Sequence, residues 1–136
     1  MKKLMSVLLA VAMVITLSSG MLVSASGDWI IAPYWNYMNS AEVDVNFSGN
    51  SGKATASVTR VFGVTTKLEA TLTVYKQNGN KWVYVDSVSD SSARSLGLEL
   101  SFNAESGETY KAVLDVTAYG SSGSETDTFE KEKTCP

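Results

Sequence analysis

Residues 65–85 read TTKLEATLTVYKQNGNKWVYV, and this stretch decides the predicted fold. Apolar and polar residues alternate on both sides of an Asn-Gly pair at positions 78 and 79. Such period-two alternation is typical of a β-strand that is buried on one face. Asn-Gly between two alternating runs is the strongest short-range signal for a two-residue turn. The sequence therefore predicts an antiparallel β-hairpin here.

The position of the turn also predicts the register of the hairpin. If Asn78 and Gly79 are the two loop residues, Gln77 pairs with Asn80 and the remaining pairs follow. The core face would then hold the pairs Val74–Val83 and Leu72–Val85, and the opposite face the pairs Tyr75–Trp82 and Thr73–Tyr84. Three aromatic rings (Tyr75, Trp82 and Tyr84) are thus expected on the face away from the core.

Alternating runs recur along the rest of the chain, and no stretch after Ser26 has helical periodicity. With the two hairpin strands, 67–76 and 81–88, the runs are 42–47, 53–62, 95–102, 109–119 and 124–133. Seven short runs with turn signals between them predict an all-β fold, an antiparallel two-sheet sandwich of the Ig-like or fibronectin-III-like kind. This arrangement is favoured over a small closed barrel. The last run is polar and charged, as expected of an edge strand.

Tyr110 follows Gly107-Glu108-Thr109 at the start of the sixth run. This pattern resembles the tyrosine corner of Ig-like sandwiches, in which the Tyr hydroxyl bonds to backbone a few residues upstream. Ala112 occupies the position where antibody domains have their second Cys, so only the architecture carries over.

The N-terminus has the three parts of a secretory signal peptide. Lys2 and Lys3 precede an apolar stretch over 4–17, and small residues before position 26 predict cleavage near Ala25. The apolar stretch alone, about 21 Å as a helix, is shorter than the ~30 Å hydrocarbon core, which argues against an uncleaved anchor. The sequence predicts four parts: a signal peptide (1–25), an aromatic segment (26–40), the sandwich domain (41–133) and a tail (134–136). We expect a secreted protein with no membrane association after cleavage.

Composition excludes several functions. The chain has no His, which removes imidazole acid–base chemistry and His-ligated metal sites. After cleavage, nine basic residues stand against fourteen acidic ones, so nucleic acid is not an expected partner. The carboxylates fall mostly on outward strand positions, and 86–92 (DSVSDSS) lacks a calcium-loop pattern and is read as a polar turn. We expect a protein that is not an enzyme and has no cofactor and no metal.

Aromatic residues are the best candidates for a binding site: Trp29, Trp35, Tyr75, Trp82 and Tyr84. Exposed rings beside polar groups can stack on sugar faces or anchor a protein partner. In the alternative interpretation the segment from Trp29 to Met38 folds over the hairpin face and the rings serve stability alone.

Cys135 is the only cysteine and lies next to the C-terminus. It cannot form an internal disulfide. The simpler interpretation is a tail thiol without a structural role; the other is an intermolecular disulfide, because an odd Cys in a secreted chain suggests one.

Several stretches together resemble a known group of proteins: the MKKL start, AEVDVNFSGNSGKATASVTR, TTKLEATLTVYKQNGNKW and SGETYKAVLDVTAYG. They are similar to small secreted Ig-like β-sandwich proteins of Gram-positive bacteria. The resemblance covers roughly Ala41 to Phe129 and implies a fold but supplies no site residue. Two functions are expected from the sequence. One is a module that binds carbohydrate or the cell envelope through its aromatic surface. The other is an extracellular protein-interaction or adhesion module, acting through edge strands or as a dimer linked through Cys135.

Overall fold

The structure, a computed structural model, describes residues 35–136. The predicted signal peptide and Trp29 lie outside the described residues. Seven β-strands are formed within 35–136: β1 (Met38–Ser48), β2 (Ser51–Arg60), β3 (Thr65–Asn78), β4 (Lys81–Ser92), β5 (Leu96–Asn103), β6 (Thr109–Gly120) and β7 (Gly123–Thr134). No helix in this part of the chain is long and apolar enough to cross a bilayer.

The seven strands form two antiparallel sheets. One sheet has three strands in the order β1-β2-β5, and the other has four in the order β4-β3-β6-β7. The predicted fold class, an all-β antiparallel sandwich of about seven strands, is confirmed. The predicted polar edge strand is β7, which lies at one edge of the four-stranded sheet.

The core lies between the two sheets and is built from alternate residues of each strand. In β5, for example, Leu96, Leu98, Leu100 and Phe102 are buried while the residues between them are exposed. Alternation places every second side chain on the same face of a strand. Burying a Leu, Val or Phe side chain is worth about 1.5–3 kcal/mol, so these rows supply most of the stabilisation. The inward residues predicted for β5 are confirmed.

The tyrosine corner predicted at Tyr110 is present. Its side chain is buried, and its hydroxyl oxygen accepts a hydrogen bond of 2.9 Å from the backbone N–H of Glu105, five residues upstream. The ring packs against Phe102, with ring centroids 5.1 Å apart, and against Phe47, 5.7 Å away. The β5–β6 loop is thereby joined to the core.

The hairpin between β3 and β4 forms, but the predicted register is wrong by two residues. Gly79 and Asn80 are the loop residues, because Asn78 pairs with Lys81 and Gln77 with Trp82. Gly79 has φ 62° whereas Asn80 does not have a positive φ, which is typical of a type II′ turn with Gly first. A shift of one residue would exchange the two faces of a strand, but a shift of two preserves them.

A β-bulge in β4 changes the register a second time. Val74 pairs with Asp86 but Tyr75 pairs with Tyr84, so Val85 is the extra residue. The predicted core pairs are therefore wrong: Val74 does not face Val83, and Leu72 faces Val88 instead of Val85.

β4 also runs further than predicted. Its pairing with β3 continues as far as Ser92, opposite Leu68, so the expected polar turn at 86–92 is wrong. Ser and Asp favour turns in isolation, but here the long neighbouring strand β3 supplies hydrogen-bond partners along one side of the segment's backbone.

Candidate functional site

Three aromatic side chains lie together on the outer face of the four-stranded sheet. This aromatic patch consists of Tyr75 from β3 with Trp82 and Tyr84 from β4. Tyr75 is directly opposite Tyr84, and their rings meet edge to face with centroids 6.4 Å apart. The predicted pairs Tyr75–Trp82 and Thr73–Tyr84 are wrong, since Gln77 faces Trp82 and Ser87 faces Thr73. The shift of two residues nevertheless leaves the three rings on the predicted face.

The rings differ in exposure. Tyr84 is 58% exposed, whereas Tyr75 and Trp82 are half-buried. The Tyr84 hydroxyl forms a hydrogen bond of 3.1 Å with the hydroxyl of Ser87 on the same strand. Edge-to-face packing favours this arrangement of the Tyr75 and Tyr84 rings. The patch therefore presents one well-exposed ring, Tyr84, beside two half-buried ones.

Lys111 from β6 completes the patch and was missed by the sequence reasoning. It pairs with Tyr75 in the sheet, and its ammonium nitrogen lies 4.3 Å from the Trp82 ring and 5.8 Å from the Tyr75 ring. Cations at this distance are attracted by the negative face of the ring. Its place could be found from the sequence only once β3 and β6 were known to be neighbours.

A shallow polar groove continues the same outer face beyond the patch. It has a volume of ≈ 470 Å³ and is lined by Glu69, Ala70, Thr71, Ser89, Asp90, Ser91, Asp115 and Thr117. The hydroxyls of Thr71 and Ser89 lie 2.7 Å apart, and Thr128 donates a hydrogen bond of 2.8 Å to the Asp115 carboxylate. The groove therefore offers hydroxyl and carboxylate oxygens on the same face as the patch, separated from its rings by the Thr73–Ser87 pair.

Glu69 lies at one end of this groove between two donors. The Lys67 ammonium is 2.7 Å from its carboxylate, and the Tyr119 hydroxyl donates a hydrogen bond of 3.1 Å to it. The hydrogen bond from Lys67, followed by that from Tyr119, lowers the pKa of Glu69 below its usual value of 4.5. The same contacts raise the pKa of Lys67 and of Tyr119. Glu69 is therefore ionised at neutral pH.

Trp35 does not join the aromatic patch. Its ring packs edge to face against Phe129, with centroids 5.4 Å apart, and its indole N–H donates a hydrogen bond of 3.1 Å to Asp127. The backbone N–H groups of Asn36 and Tyr37 bond to the Glu125 carboxylate. This part of the predicted aromatic segment therefore runs along β7, and residues 35–38 do not cover the hairpin face. Trp29 lies outside the described residues.

Cys135 is buried, with 1% of its surface exposed, and the prediction of a tail thiol without a structural role is wrong. Its backbone N–H donates to the Glu108 carbonyl, and its carbonyl accepts from the N–H of Gly107, both at 2.8 Å. Its thiol lies 3.7 Å from the Gly49 carbonyl oxygen. Residue 135 thus fastens the β5–β6 loop and lies against the β1–β2 turn. An intermolecular disulfide stays a prediction and would require this tail to leave the domain.

Metal ligands are not gathered at one point in the described part of the chain: residues 35–136 contain no group of three or more His, Cys, Asp or Glu side chains that could hold an ion. The carboxylates around the groove are engaged by hydroxyls, amines or backbone N–H groups. Asp115 accepts from Thr128, and Asp90 accepts from the backbone N–H of Ser91.

No family model and no curated protein matches the chain. Among solved structures, CsgH of R. palustris is similar, with 18% identity and a TM-score of 0.44 over 69% of this chain and 89% of that one. The E. coli curli protein CsgC is similar as well, with 13% identity and a TM-score of 0.37 over 71% of this chain and 97% of that one. Neither shows a link to the Gram-positive group that the sequence resembles. The two likenesses are distant, and neither assigns a function to this chain.

Proposed function

We propose that the chain is a secreted, non-enzymatic binding module that holds a carbohydrate of the cell envelope or its surroundings on the aromatic patch. The observation that carries this proposal is the grouping of Tyr75, Trp82 and Tyr84 on one outer face, with Tyr84 58% exposed. Aromatic faces stack on the apolar faces of sugar rings, and neighbouring polar groups bond to the hydroxyls.

The sheet suits this task because it fixes the rings before binding. Tyr75 and Tyr84 are cross-strand neighbours in the β3–β4 hairpin, and Lys111 lies over the rings of Tyr75 and Trp82. Side chains that are already ordered lose less entropy when a ligand binds, so more of the interaction energy contributes to affinity. The adjoining groove supplies hydroxyl and carboxylate oxygens for sugar hydroxyls.

Retention on solid carbohydrate tests the proposal. The protein is mixed with insoluble polysaccharides and with isolated cell walls, and the bound fraction is measured for the wild type and for the Trp82→Ala/Tyr84→Ala variant. We expect retention of the wild type and loss of most of it in the variant. The matched control is Phe62→Ala, which removes an 85% exposed ring from the β2–β3 loop, outside the patch.

Stability measurements separate binding from a purely structural role of the rings. Cross-strand aromatic pairs stabilise sheets by about 0.2–1 kcal/mol without any ligand. If the variant is less stable but is retained as well as the wild type, the rings serve the hairpin alone and the proposal is wrong. The same holds if no polysaccharide or cell wall retains the wild type.

Secretion has its own test. The protein released by the producing cell is expected to begin at Ser26, one residue after the predicted cleavage position. Intact mass measurement of the released chain checks this, and a released chain that still begins at Met1 would contradict it.

A further inference from the structure

The four edge strands of the sandwich are not equally protected against pairing with another chain. β1 has a register irregularity only at its start, between Met38 and Ser40, but carries two carboxylates, Glu42 and Asp44, and β4 has the bulge at Val85. β7 carries six charged side chains within 125–133. Bulges and charges are the devices by which natural proteins block their sheet edges. Three of the four edges are therefore protected.

β5 is the exception. Its sequence LGLELSFN contains no Pro and one charge, Glu99, and it pairs with β2 without any register shift over eight residues. No strand within residues 35–136 pairs with its other side. A regular edge of this length presents a row of backbone N–H and C=O groups that can extend the sheet.

The bulge residue Val85 on β4 lies next to this edge and is half-buried. A depression of ≈ 390 Å³ beside the edge is lined by Ser51, Val85, Asp86, Ser101, Phe102 and Asn103. The four-stranded sheet faces only three strands, and a strand added beside β5 would bring the second sheet to four.

We propose that β5 pairs antiparallel with β5 of a second copy of the chain, joining two three-stranded sheets into one of six strands. A continuous sheet keeps inward residues opposite inward residues, so only registers that match the alternation are allowed. The register that places Glu99 opposite Glu99 of the second copy is disfavoured, because like charges directly opposite each other destabilise a pair.

Sliding the second copy by two residues gives a register in which the two β5 strands complement each other. It places Leu100 opposite its own copy, Leu98 opposite Phe102, Glu99 opposite Ser101 and Gly97 opposite Asn103. The inner row is then apolar throughout, and each Glu99 faces a hydroxyl. Lys53, which pairs with Ser101 in the sheet and lies 2.9 Å from Glu99, places a positive charge beside each of these pairs. This pattern favours a second copy over an unrelated peptide as the added strand.

Sedimentation equilibrium of the purified full chain over a range of concentrations tests the proposal. We expect a reversible dimer for the wild type. Ser101→Glu would place two pairs of carboxylates opposite each other across the interface. We expect it to raise the dissociation constant at least about fivefold at low salt and by a smaller factor at high salt. In the monomer the new carboxylate faces Lys53, so the fold tolerates it.

Asn103→Glu is the matched control, since it adds the same charge to the same strand but faces Gly97 in the proposed register. It is expected to leave the dissociation constant within about twofold of the wild type. A wild type that stays monomeric at all concentrations overturns the proposal. A dimer that is insensitive to Ser101→Glu, or more sensitive to Asn103→Glu, overturns the proposed β5 pairing with Leu100 opposite its own copy.

Discussion

Replacing Tyr110 with Phe removes one oxygen atom from the interior of the sandwich and leaves the ring in place. In the wild type that oxygen accepts the 2.9 Å hydrogen bond from the Glu105 backbone. The side chain is 1% exposed, and its ring packs on Phe102 and Phe47. The substitution therefore separates the hydrogen bond of the corner from the packing of the ring.

The expected loss of stability has two sources: the hydrogen bond is lost, and the backbone N–H of Glu105 is left without its acceptor. A typical hydrogen bond contributes about 0.5–1.5 kcal/mol, and an unsatisfied buried donor costs about 1–3 kcal/mol. Because the bond is only partly buried, water can reach the freed N–H, and we expect a loss of about 1–2 kcal/mol. In a domain of about 100 residues this lowers the melting temperature by about 4–10 °C.

Urea unfolding followed by tryptophan fluorescence measures the free energy, with a thermal scan as the second measurement. The control is Tyr84→Phe, which removes a hydroxyl bonded only to the exposed Ser87 and is expected to change stability by less than about 0.5 kcal/mol. If Tyr110→Phe is as stable as the wild type, the corner acts through ring packing alone and the reasoning is refuted.

Three further changes test other parts of the structure. Gly52→Ala would place its Cβ within clashing distance of the Phe102 ring, and we expect it to lower the free energy of unfolding in urea by about 1–3 kcal/mol. An unchanged unfolding midpoint would show that the ring moves aside freely. The lowered pKa of Glu69 means that its stabilisation is present above the usual value of 4.5 and is lost as pH falls through the lower folded value. Unfolding midpoints of wild type and Glu69→Gln should therefore converge on acidification below about pH 4.5, and parallel curves would contradict this. The Cys135 thiol should react with a thiol reagent slowly in native buffer and quickly in urea; equal rates would show that the tail does not dock.

Alternation made the strands and the inward residues of this fold predictable. In β5 and β6 each buried side chain was expected from the sequence, because one face packs on the core and the other meets water. The tyrosine corner was predictable as well, since Tyr110 follows a recognisable Gly-containing turn. These are local patterns, and they need no knowledge of which strands become neighbours.

The hairpin register was not predictable, because the sequence NGN offers two turns. Asn-Gly fits a type I′ turn, whereas Gly-Asn fits a type II′ turn. The bulge at Val85 lies outside the turn and does not select between the two. The same limit explains Lys111 and Cys135. The first meets the rings only through the β3–β6 pairing, and the second is buried only because a loop and a turn from elsewhere close around it.

The contacts of Trp35 with β7 have a consequence for how the chain folds. Its indole bonds to Asp127, 92 residues later, and the backbone of Tyr37 bonds to Glu125, 88 residues later. Contacts between such distant residues carry a large loop-closure entropy, and proteins dominated by them fold in milliseconds to seconds. The first strand therefore has no partner on its β7 side until the last strand has been synthesised. A chain that lacks about its last fifteen residues lacks β7, and we expect its core to stay uncovered on that side and the chain to be sensitive to protease. The fold can therefore be completed only after the last residues of the chain have been added.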